Sequence, residues 1–357
     1  MKTSQRLLKR LGQFTAQAAF VSVVAFGLPG TAAAADVTVD CDGPGPADFG
    51  SINDALAALS LEGPNTIFVF PGSCVENVVI HNRERLTIVA PDGNVHINPA
   101  DPDQPVITIG DSRGIVLVAL AAYSSNQNGV AITSSSQVQL FMHSNDNDAA
   151  GFFVESSFSV YFASHATGNG SDGLFVWEGS EVLLEGATMT GNGGFGAICR
   201  DGSTCILKGN VVVENNSSVG LVAVNNSLIK VSSLSGPNSI QGNAFYGIYL
   251  ARNSVADLRG DYDNFVTANN GPGIHLETNS SLGLFNSTIS NNTGPGVEVL
   301  RSSAAEIVGT NAISNNDGAD LVCDSTSLIH GNLNGISRFN CARIERAVGP
   351  PRPGAIN

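Results

Sequence analysis

Hydrophobic residues in this chain recur on two scales, alternating singly within short stretches and returning as stretches every two dozen residues. Gly129, Gly151, Gly173, Gly196, Gly220, Gly247, Gly273 and Gly296 each precede an apolar, alternating run, at separations of 22, 22, 23, 24, 27, 26 and 23. One more step reaches Asp320, followed by Leu321, Val322 and Cys323, so nine segments share one register. One residue past the landmark stand Val130, Phe152, Leu174, Ala197, Leu221, Ile248, Ile274, Val297 and Leu321. Three past it stand Ile132, Val154, Val176, Cys199, Ala223, Leu250, Leu276, Val299 and Cys323. Period-two alternation turns both columns inward from a strand. A further inward column runs from Val138 and Val160 through Val182, Cys205, Ile229, Ala256, Leu282 and Ala305 to Ile329. Each segment therefore predicts a coil of strand, turn, strand, turn, short third strand and turn, stacked about 4.8 Å from the next. Parallel crossovers are right-handed almost without exception. The pattern thus predicts an all-β, right-handed parallel β-helix, a single-stranded solenoid of about eleven coils.

The polar positions carry the same period. Four residues before the landmark an asparagine recurs: Asn147, Asn169, Asn192, Asn216, Asn243, Asn269, Asn292 and Asn316. Stacked amides donate and accept along such a column and satisfy a tight turn. Seven after the landmark, serine fills eight of nine coils (Ser136, Ser180, Ser203, Ser227, Ser254, Ser280, Ser303 and Ser327), Phe158 being the exception. Ahead of the regular coils, Ser51 with Asp54 reads as a capping box before Ala55, Leu56, Ala58 and Leu59, a short amphipathic helix that caps the first coil. Thr66–Phe70, a Pro71–Gly72 turn, Asn77–Ile80 and Leu86–Ala90 follow it. The chain divides into a leader over 1–35, an N-terminal cap and first coils over 36–110, regular coils over 111–335, and a C-terminal cap with a disordered tail over 336–357.

The leader has the form of a secretory signal peptide. Lys2, Arg6, Lys9 and Arg10 precede a short apolar run, Ala18 to Leu28, and the small residues Ala32 to Ala35. Cleavage after Ala35 sends the protein out of the cytoplasm, to the periplasm, the cell surface or the medium. No later stretch is long and apolar enough to span a bilayer. The chain has 17 basic and 31 acidic residues, and losing the four basic leader residues leaves 13 against 31, a net of −18. So acidic a body excludes nucleic acid as a partner. All six cysteines lie in the mature chain, and an even number in an exported protein favours disulfides. Cys41 and Cys74 bracket the opening segment, Cys199 and Cys205 point inward from one coil, and Cys323 and Cys341 clamp the last coil to the tail. None has C-x-x-C spacing, so no zinc site and no resident cofactor is expected. Only calcium has a weak case, in the oxygen-rich Asn145–Asp148 and Gly168–Asp172 turns.

The repeat resembles the pectate-lyase-like superfamily of parallel β-helices over residues 47–335, and the order of elements at its start looks like that of pectin methylesterases and related secreted proteins. The resemblance implies a fold and, where there is activity, polysaccharide chemistry on an outer face. The enzymes' signatures are missing. There is no Gln-Asp step of the methylesterases and no Asp-Asp pair or Gly-His-Gly turn of the polygalacturonases. Trp177 is followed by Glu178 rather than by the Trp-x-Asp-His of pectate lyases.

A filled solenoid leaves only its outside for chemistry, so the outward positions of the first strand are the ones to examine. Phe153 and Phe175 fall on adjacent coils, with Trp177 and Arg200 beside them, a candidate ligand-binding patch. Ile198 and Val222 continue that strip and point instead to a cover by a loop, a partner or an oligomer interface. Tyr249, His275 and Glu298 share a column, with Glu277, Arg252 and Arg301 close by, candidates for acid/base work on an acidic sugar. A silent surface ion network is the bland reading of these six. Coils of 22 to 27 residues leave no long loops to wall a cleft. The sequence therefore favours a non-catalytic β-helix presenting a rigid face to a glycan or surface protein. The alternative is a lyase, hydrolase or epimerase on acidic sugars, and the sequence leaves open whether the chain is an enzyme.

Overall fold

The computed structural model describes residues 34–346, apart from 44, 233, 234, 335 and 337. The expected leader through residue 33, and the tail from 347 that includes Gly349–Pro353, lie outside the described residues. Strands pair in parallel, and each coil supplies one strand to a twelve-stranded front sheet. The remaining strands form a twenty-three-stranded back sheet, in two stacks. Arg113–Tyr123 and Gln139–Asn145 run straight through the second turn and join those stacks. The front sheet aligns Val130, Phe152, Leu174, Ala197, Leu221, Ile248, Ile274, Val297 and Leu321 as direct partners, the register the landmark glycines predict. All three inward columns are buried in one continuous core. Burying each large aliphatic side chain contributes about 1.5–3 kcal/mol.

The asparagine column is a continuous hydrogen-bonded ladder. Each side-chain amide donates to the carbonyl oxygen of the next, from Asn147 to Asn316, at 2.9–3.0 Å. The same oxygen also accepts the preceding asparagine's backbone N–H. The ladder crowds the landmark glycines: a Cβ on Gly220 would lie 2.7 Å from Asn243 Nδ2 and from the Gly247 carbonyl.

The serine column needs a correction. In the early coils the ladder runs through Ser112, Ser135, Ser157 and Ser180, each backbone N–H donating to the next hydroxyl, so Ser136 and Phe158 are not its members. The reason lies in the first turn. Ser134 and Ser156 are single left-handed residues there, whereas Glu178–Gly179, Arg252–Asn253 and Arg301–Ser302 use two in succession. Left-handed Gln137 and Ser159 then restore the register.

The lid is helix Ile52–Ala58, capped by the Ser51 hydroxyl, which accepts the Asp54 N–H. Glu76 accepts the N–H groups of Ile52 and Asn53 at 2.7 and 2.9 Å, and buried Arg83 donates to the carbonyls of Leu56, Leu59 and Ser60. A carboxylate at the helix start and a guanidinium at its end match the orphan groups and the dipole. Gly72–Val75 is a further strand, so the expected Pro71–Gly72 turn contracts to Phe70–Pro71. The disulfides are Cys41–Cys74, Cys199–Cys205 and Cys323–Cys341, the pairs expected. No described helix is long and apolar enough to cross a membrane.

Candidate functional site

The front sheet's outward column runs Phe153, Phe175, Ile198, Val222, Tyr249, His275, Glu298 and Val322, one residue per coil. At its upper end the rings of Phe153 and Phe175 stack on each other, 5.6 Å apart and 25° from parallel. Trp177 meets both edge-on, and the Arg200 guanidinium lies about 6 Å from the Phe175 and Trp177 rings. Asp201 organises this group by accepting from Trp177 Nε1, Arg200 Nε and Asn225 Nδ2 at 2.7, 2.9 and 2.6 Å. Those hydrogen bonds, Asn225's foremost, hold its carboxyl below the usual range. Rings that spend their faces on one another offer edges to solvent, so this patch is a poor platform for a sugar ring. Ile198 and Val222 are buried although they point outward. Phe195, Val219 and Tyr246, each just before a landmark glycine, fold over them, so the cover comes from the chain itself.

Beyond that cover, five of the six polar candidates hydrogen-bond one another in two groups. His275 Nδ1 lies 2.7 Å from Glu298 Oε2. An ionised carboxylate only accepts, so Nδ1, facing one, is the donor of this pair. Tyr249 donates its hydroxyl to Glu277 Oε1 at 2.5 Å, and Arg301 donates to Glu277 Oε2 at 2.6 Å. Burial, the bond to Glu277 and that carboxylate's charge push the Tyr249 phenol up to about 12, so it stays protonated. Tyr246 lies flat over His275, with centroids 4.8 Å apart and planes at 12°, and burial also raises its phenol. The His275 side chain is only 10 % exposed beneath it. Exposed Arg252 donates to Asn225 at 3.3 Å, and its charge acts on the Tyr249 phenol. Both Arg252 and Arg301 adopt left-handed backbone, φ 57° and 53°, a conformation glycine or asparagine fills more cheaply.

Tyr246 is the residue the outward columns miss. Its signal is the column one residue before the landmark, where Phe195, Val219 and Tyr246 are large in three successive coils. Also missed is a group on the back sheet. His143 and His165 stack on adjacent coils, and crowding by neighbouring atoms, with His165 repelling His143, holds both imidazoles below their ordinary pKa. Asp172, in one of the oxygen-rich turns, is buried and accepts the Phe195 N–H at 2.7 Å.

Comparison with known proteins agrees with this architecture. A family described as a right-handed beta helix region matches residues 106–263. No curated protein matches the chain in sequence. Among solved structures, the A-module of Azotobacter vinelandii mannuronan C-5 epimerase AlgE6 is 12% identical over 84% of this chain and 90% of that one, with a TM-score of 0.56. The AlgE4 A-module from the same organism is 13% identical over 83% and 90%, also at 0.56. Pectate lyase Pel9A is 12% identical over 89% and 78%, at 0.46. The shared feature is the solenoid: this chain is a right-handed parallel β-helix.

Proposed function

We propose that this chain is an extracytoplasmic enzyme acting on an acidic polysaccharide, with His275 as the base that removes the proton beside a sugar carboxylate. One observation carries this reading: Tyr249 and Arg301 hydrogen-bond Glu277, His275 hydrogen-bonds Glu298, and the Tyr249 and His275 rings stack with centroids 5.5 Å apart, all on an outer sheet. The Glu298 bond fixes the tautomer that leaves Nε2 as proton acceptor. Arg252, exposed at the strand end, would neutralise the carboxylate and stabilise the charge that develops as the proton leaves. Arg301 and Glu277 hold the Tyr249 ring in place, its one hydroxyl hydrogen given to Glu277. Proton return to the opposite face gives an epimer, and loss of the neighbouring glycosidic oxygen cleaves the chain. Of the three chemistries open at the sequence level, this cluster suits epimerase or lyase better than hydrolase. The fold shared with two mannuronan epimerase modules makes mannuronan the first polymer to try. The disulfides and the leader-like first residues support export.

A second reading, glycan binding without turnover, draws on the cover Tyr246 places over His275 and on the lack of long walling loops. The test is incubation with mannuronan, guluronan and polygalacturonate in deuterated water. Deuterium entering beside the carboxylate, or a new unsaturated end, supports the enzyme. His275→Ala should then lower the rate by about 10²-fold or more. Binding without exchange, weakened by Arg252→Ala, replaces the enzyme by the second reading. Neither exchange nor binding overturns both.

A further inference from the structure

On the back sheet, away from the front-sheet cluster, His143 and His165 are direct partners on neighbouring coils. Their rings stack with centroids 4.8 Å apart and planes at 17°. Nearer the lid, His96 and Tyr123 stack likewise, at 5.1 Å and 21°, where small Ala121 separates His96 from His143 along the column. Tyr123, His143, Asn145, Asp146, His165 and Thr167 line one shallow cleft of about 420 Å³. Two rings held face to face present edges outward, and the edges of imidazole carry nitrogen. A sugar seeks a free ring face, whereas a transition ion seeks a nitrogen edge. The Asp146 carboxylate adds an oxygen at the rim. It leans over the next coil's Gly168, where a Cβ would lie 2.7 Å from Asp146 Oδ1.

We propose that His143 and His165 form a two-imidazole site for a divalent transition ion, with water in the remaining positions and Asp146 at its rim. Imidazole nitrogen binds such ions at about 2.0–2.1 Å, and rings one coil apart reach a shared ion by turning about their side-chain torsions. The order of affinity should be Cu²⁺ over Ni²⁺, and calcium, which takes oxygen ligands, should not compete. The site is independent of the front-sheet activity.

Copper(II) titrated calorimetrically into the untagged full chain tests it. One saturable site per chain is expected, weakened about tenfold or more by His143→Ala or His165→Ala and abolished by both together. His275→Ala should leave it unchanged. No saturable binding up to about 1 mM, or binding that survives the double change, overturns the proposal. Electron paramagnetic resonance of the unmutated protein gives a reading even where a variant fails to fold. Splitting from two nitrogens supports the site, and a spectrum without nitrogen coupling overturns it.

Discussion

Asp172 shows how one side chain of this solenoid couples to solution conditions. Burial raises its carboxyl, against the partial relief of the Phe195 N–H it accepts at 2.7 Å. A carboxyl raised on folding gives its full contribution below the unfolded value of about 3.9 and loses it as pH rises through the folded value. Asp172→Asn keeps the acceptor without the charge. Thermal melts should therefore show a flatter limb from about pH 4 to neutrality, with a midpoint at pH 7 no lower than the parent's. Asp172→Ala strands the buried N–H, at a cost of about 1–3 kcal/mol. An Asn variant less stable at pH 7 than the Ala variant would contradict this account. The sequence marks Asp172 only as one oxygen in a turn, because its burial depends on Phe195 from the next coil. Tyr249, His275 and Glu298 are legible for the opposite reason: strand register alone fixes which coil each faces. What register cannot give is Tyr246, which reaches the front sheet from a turn.

The asparagine ladder is the element on which that register rests. Asn243 accepts two bonds from Asn216 and donates to Asn269 and to the Val213 carbonyl. Asn243→Ala strands several buried groups together and should cost at least about 2 kcal/mol in urea unfolding. Thr267→Ala, outward on a neighbouring coil, should stay within about 0.5 kcal/mol. Equal losses would show that the ladder adds nothing beyond strand pairing. This column reads directly from the sequence because an amide must meet its counterpart on every coil. The serine column reads only in part. Counting from the landmark finds the length of a coil but not which turn lost a residue, and the left-handed backbone at Ser134 and Ser156 is what settles it.

Over the length of the solenoid each coil contacts chiefly its two neighbours, so stability should grade along the axis. The lid secures one end through Glu76 and Arg83, and Cys323–Cys341 secures the other. Replacing both cysteines by alanine should remove about 2–4 kcal/mol of constraint, lost first at the C-terminal end. Hydrogen exchange should rise in Leu321–Gly331 while Val130–Val154 stays protected, and a uniform rise would refute the graded picture. The architecture was foreseeable in detail because the same local rule operates in every coil. Function is not legible in the same way, because the rule leaves the outward side chains free. The one-way asparagine ladder has a further consequence. Each amide consults only the amide after it, so nothing in the molecule counts its own coils. Duplicating or excising one whole repeat would leave an amide-to-amide bond at every junction, while a single inserted residue must be absorbed inside a turn.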